Sequence, residues 1–147
     1  MNRRGRGAAV RRAERGSAAI EAVIGITAFV ALGSMIIAGG RIAITQQAVE
    51  AAAAEAARSA SISRDAGTAA VVARDRGLAS LENQEVPCLP VPTVVVEVPV
   101  VPLGVSANAR ATVTCRVDLS DVAIPNFPGS MTIERTMESP IDAYRQR

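Results

Sequence analysis

The chain is predicted to be α+β: a long amino-terminal helix that begins as a single transmembrane span, a second helix, then a small antiparallel β-sheet. Three observations lead there. The stretch Ala22 to Gly40 is nineteen residues without a charge, Ala48 to Ala60 is dominated by alanine, and from Val86 onward prolines alternate with β-branched runs.

At a rise of ~1.5 Å per residue, the uncharged run as a helix is just long enough to cross a hydrocarbon core of ~30 Å. Six arginines (Arg3, Arg4, Arg6, Arg11, Arg12, Arg15) precede it against one acid, Glu14. The next fifteen residues hold only Arg41, Glu50 and Glu55. Cationic flanks are retained in the cytoplasm, so the N-terminus is expected inside and everything after Arg41 outside. A secretory leader fits poorly, because its apolar core is shorter, ~7–15 residues, and ends at a small-residue cleavage site. Neither Arg3-Arg4 nor Arg11-Arg12 is followed by apolar residues as twin-arginine export would need. The span accounts for the basic N-terminus without nucleic acid. Glu21 stands at the mouth of the span, where an unpaired carboxylate is costly and points to function.

Composition excludes most chemistry. The 147 residues allow one modest domain plus an anchor. With no His there is no His-dependent triad and no His-based metal site. Two cysteines alone cannot build a Cys-rich zinc site. No catalytic residue, cofactor site or metal site is therefore expected, and the chain reads as a non-enzyme.

Past the span, Arg41 to about Ser61 continues as helix. Val49, Ala52, Ala53, Ala56 and Ala60 recur near 3.6 spacing, with Gln46, Gln47, Glu50 and Arg58 left for water. Asp65 is placed to cap a second helix running to about Leu81 and burying Val71, Val72, Leu78 and Leu81. Gly67 and Gly77 weaken that helix. Strands are expected at Val94–Val98, between prolines, at Ala111–Val117, where Val113, Cys115 and Val117 alternate with polar residues, and at Met131–Thr136. Asn126 to Ser130 reads as a turn, and Ser139 to Arg145 as a polar tail, docked or loose. The region has few aromatics and a thin apolar supply, so its core is marginal. Cys88 and Cys115, both on the outer side, are expected to form a disulfide that compensates.

Arginines, a glycine, four residues, a glutamate and an apolar helix resemble the cleavage site of type IV prepilins. Arg15-Gly16-Ser17 with Glu21, the span, Gly40-Arg41, Gln46-Gln47-Ala48 and Ala56-Ala57-Arg58-Ser59-Ala60 together resemble the TadE-like family of the tight-adherence (Flp) pilus system. The resemblance is most specific over residues 15 to 62. It implies that a membrane-embedded prepilin peptidase cuts between Gly16 and Ser17. It also implies that Glu21, then the fifth residue, pairs with the new α-amino group of a neighbouring subunit. The first sixteen residues carry +5 of the chain's +2, so the processed chain would carry −3. Two features depart from the pattern: residue 22 is Ala where pilin-like relatives often have an aromatic, and the span lacks proline.

The expected organisation is a basic leader (1–16), a transmembrane helix (17–40), a helical region outside the membrane (41–84) and a Pro-rich β domain with its tail (85–147). The expected function is a minor pseudopilin or assembly component. Its partners are membrane lipid, the prepilin peptidase, the assembly platform and other pilin-like subunits, with no nucleic acid. The rival reading is an uncleaved signal anchor carrying an extracytoplasmic binding or structural module.

Overall fold

A computed structural model describes residues 4–121 and 129–144, with side chains from Ala18 onward except that of residue 66. The elements are α1 (Arg4–Ile62), α2 (Ala66–Asn83), β1 (Thr93–Glu97), β2 (Ala107–Asp118) and β3 (Ser130–Ile141). The predicted order is observed: a long apolar helix, a second helix, and a three-stranded antiparallel sheet in the order β1-β2-β3. The two helices pack on one face of the sheet.

Helix α1 meets two environments without a break. In its first half, ten large apolar side chains between Ile20 and Ile37 are exposed, Phe29 at 77%. At ~1.5–3 kcal/mol each, leaving them in water would forgo roughly 15–30 kcal/mol, more than the net stability of a typical domain. A bilayer removes that deficit, so this half reads as a single membrane anchor. The polar Thr27 inside it is satisfied locally, its Oγ1 donating to the Val23 carbonyl at 2.7 Å.

The second half of α1 is buried along the predicted stripe. Val49, Ala52, Ala53, Ala56 and Ala60 are all fully buried, with Ala48 and Ala57 beside them. An alanine methyl contributes only about 0.8 kcal/mol on burial, so what these residues supply is closeness: they let α2 and the sheet approach the helix backbone. After Ile62 the chain reverses within three residues. Asp65 caps α2 as expected, accepting from the Gly67 N–H at 3.0 Å and from the Thr68 hydroxyl at 2.9 Å. Those bonds, the Gly67 one first, hold the Asp65 carboxyl below its ordinary range.

The buried face of α2 differs from the predicted one. Leu81 is buried and Leu78 partly so, but Val71 and Val72 are exposed. Their place is taken by Ala69 and Ala73, which with Gly77 and Leu81 form a stripe at intervals of four. Gly77 shows why the stripe is small. A Cβ there would lie 3.2 Å from the Ala56 methyl and 3.3 Å from a methyl of Val94, wedged between α1 and β1.

On the sheet, Ala109, Ala111, Val113, Cys115 and Val117 of β2 face the helices, joined by Val94 of β1 and Ile133 of β3. The opposite face is a polar ladder. Arg110 and Asn108 donate to Glu138, and Thr112 pairs with Thr136 at 2.9 Å. The Arg110 hydrogen bonds hold Glu138 below the usual carboxylate range. All three strands form at the predicted places, β2 and β3 longer than expected. Strand β3 absorbs Ser139, Pro140 and Ile141, the start of the presumed tail, because Ile141 reaches the core beside Ala60 and Ala109. Pro140 is tolerated there because β3 is an edge strand. Residues 126–128 of the predicted turn lie outside the described residues.

The disulfide is present. Cys88 and Cys115 are joined with their Cα atoms 5.2 Å apart, 27 positions separated in sequence. It ties the connection after α2 to the central strand, next to the bond from the Leu89 N–H to the Arg116 carbonyl. Closing a loop of this size stabilises by about 3.5 kcal/mol in the chain-entropy picture. Replacing both cysteines with alanine should lower unfolding stability by about that amount. Denaturant titration followed by circular dichroism measures it, and an unchanged midpoint would mean the bond constrains nothing.

Gly77→Ala should cost about 1 kcal/mol, overpacking against Ala56 and Val94 outweighing the better helix propensity. The cost should shrink in a Val94→Ala background, which a double-mutant cycle resolves. Equal costs in both backgrounds would place the pressure elsewhere.

Candidate functional site

The residues singled out in the sequence lie in the amino-terminal third of α1, where its apolar stretch begins. Gly16, Ser17 and Glu21 fall within one uninterrupted helix, Arg4–Ile62, and Ser17 and Glu21 are one turn apart on the same side of it. The Gly16–Ser17 bond is therefore held in helical hydrogen bonding, and exposing it in extended form would require that turn to unwind. Glycine there makes unwinding about 1 kcal/mol easier than alanine would. Glu21 is exposed at the edge of the apolar stretch, with no acid or base of the folded domain near it among the described residues. Its carboxylate has to find a partner outside its own chain's domain or stay near the bilayer surface.

The other end of the span is marked by Arg41, roughly 30 Å farther along the helix. Its Nη1 donates to Asp121 Oδ1 at 2.7 Å, linking α1 to the turn that follows β2 across 80 positions of sequence. Both side chains are about half exposed, so the pair adds little stability by itself. It marks where the underside of the domain meets the helix as the helix leaves the apolar zone. Sequence reading found Arg41 as a flanking charge and missed Asp121, since nothing local signals a partner so far along the chain.

A second feature of this underside was also missed. Helix α2 ends in a Schellman motif: the Val86 N–H reaches the Leu81 carbonyl, and the Glu85 N–H donates to the Glu82 carbonyl at 3.0 Å. The motif requires a left-handed residue at its turning point, normally glycine. Here it is Glu85, at φ 52°. A side chain in that conformation costs about 1 kcal/mol or more. Asp118 stands nearby at the end of β2. Its carboxyl is held below the usual range by the Ser120 N–H, 2.9 Å away, then by the Ser120 hydroxyl, with smaller help from Arg116 and Arg41.

Between these groups lies a cavity of about 630 Å³ bounded by α1, the end of α2 and the end of β2. Among the described residues no cluster of three or more acids or cysteines could hold a metal ion.

No curated protein and no solved structure matches the chain. The family model described as TadE-like protein matches residues 16–58, from the glycine of the motif through the span and into the alanine-rich stripe. That segment is the one whose motif order resembled the family, and the match stops short of α2 and the sheet. Over residues 16–58, the chain is similar to the TadE-like family associated with the tight-adherence pilus.

Proposed function

We propose that the protein is a minor pseudopilin or assembly component of a tight-adherence pilus system, processed by a prepilin peptidase and catalysing nothing itself. The observation that carries this reading is the placement of Gly16, Ser17 and Glu21. They sit where the exposed apolar stretch of α1 begins, in a helix that continues directly into the folded domain. Cleavage between Gly16 and Ser17 removes the basic leader and creates an α-amino group one turn before Glu21. In a low-dielectric setting that new cation and a neighbour's Glu21 attract strongly, while each alone is penalised. The pairing thus selects a second pilin-like subunit at a defined height. The arginine bias supports a leader in the cytoplasm and a sheet outside, where a disulfide would persist. The peptidase, the assembly platform and pilin-like subunits are the partners this reading requires.

Processing separates it from an uncleaved anchor. N-terminal sequencing of the membrane-bound protein from pilus-expressing cells should begin at Ser17, and Gly16→Leu should abolish the shorter species. Glu21→Ala should leave cleavage intact yet reduce recovery of the protein with other pilin-like subunits. A chain that starts at Met1 or Asn2 in those cells rejects the proposal in favour of the anchor.

Orientation is checked independently. A periplasm-dependent reporter enzyme fused after Leu81 should be active. Activity of a cytoplasm-dependent reporter at that position would invert the topology.

A further inference from the structure

The cavity on the underside of the domain lies where α1 leaves the apolar run: its α1 wall is Arg41, Ile44 and Thr45. Its other walls are the residues after α2 and the end of β2. Helix α2 descends from Asp65 towards this end, and β2 also finishes here, so the opening faces the same level as the membrane boundary. Ile44 and Leu89 line it and are 64% and 51% exposed, apolar groups left uncovered at the height of lipid headgroups. In a bilayer this space borders headgroups rather than bulk water.

We propose that the cavity is a binding site for a phospholipid headgroup that carries both a phosphate and a primary ammonium, of the phosphoethanolamine type. Charge sorts the candidates. Arg41 contributes one cation, and only its Nη1 is engaged, with Asp121, which leaves guanidinium donors for a phosphate. Glu85, Asp118 and Asp121 contribute three carboxylates. A headgroup with net negative charge meets an excess of acid, whereas a zwitterion places its phosphate at Arg41 and its ammonium at Glu85. A quaternary ammonium cannot donate hydrogen bonds to a carboxylate and is recognised by aromatic faces. No aromatic residue lines this cavity among the described residues.

Glu85 is the group whose position points most directly to a ligand. At a helix end that glycine would satisfy with less strain, the chain carries a carboxylate at φ 52°, on the cavity wall. Strain of this kind persists where a side chain is needed. The cavity volume suits one headgroup and its glycerol, with Ile44, Val86 and Leu89 against the first acyl carbons. The site depends on α1 spanning a membrane, and not on whether the leader is cut.

The test uses the full chain purified in detergent and offered equimolar phosphatidylethanolamine, phosphatidylcholine and phosphatidylglycerol, with bound lipid read by native mass spectrometry. Phosphatidylethanolamine should be retained over each of the others by about tenfold, the worth of one charge-assisted hydrogen bond. Glu85→Gln should reduce its advantage over phosphatidylcholine to near unity. Glu85→Gly should do the same while raising the melting temperature, which separates loss of a ligand from loss of fold. Equal retention of the three lipids, preference for phosphatidylglycerol, or a preference unchanged in both Glu85 variants would overturn the assignment. The processing experiment reads a different bond, so a cut chain without lipid preference rejects only this site.

Discussion

The structure depends on one constraint: a single helix must be compatible with lipid along one half and with a protein core along the other. Large side chains serve the first half, where Ile20 to Ile37 need only apolar surroundings. They would defeat the second. Between Ala48 and Ala60 the buried face of the helix is, apart from Val49 and Ser59, reduced to alanine methyl groups, and α2 and the sheet pack against it. Gly77 and the alanines of α2 extend the same economy to the opposing surface. Close packing of this kind wins dispersion contacts that a thin supply of leucine and phenylalanine could not provide. The Cys88–Cys115 bond then adds a constraint on the unfolded chain.

Because α1 has no break at the membrane boundary, the domain is seated on its span rather than tethered to it. Arg41 and Asp121 meet across that junction. A displacement of the span along its axis is transmitted to the sheet without the slack a flexible linker would introduce. Glu21 at one end of the apolar stretch and the Arg41 junction at the other bracket the part of the protein that such a displacement would move. The polar outer face of the sheet, with its Arg110–Glu138 and threonine pairs, stays satisfied in water throughout.

What sequence alone determined followed from properties that are local or periodic. The charge-free run set the span, the arginine–glycine–glutamate spacing set the candidate processing site, and the 3.6-residue alanine rhythm set the buried face of α1. Alternation around Cys115 set the inner face of β2. The pairing of two cysteines needed no geometry, since no others compete.

Tertiary structure alone decided which face of α2 is buried, how far β3 runs, and what surrounds Arg41. Val71 and Val72 are the more apolar choice by transfer free energy, yet Ala69, Ala73 and Gly77 are buried, because the space between α1 and β1 admits only small groups. Ile141 belongs to a strand only because its neighbours across the sheet and on α1 leave a place for it. Asp121 meets Arg41, and Glu85 takes a left-handed turn, through contacts and a helix end that no spacing along the chain encodes. Periodicity tells a helix which side can be inside; the volume left by its neighbours decides which side is.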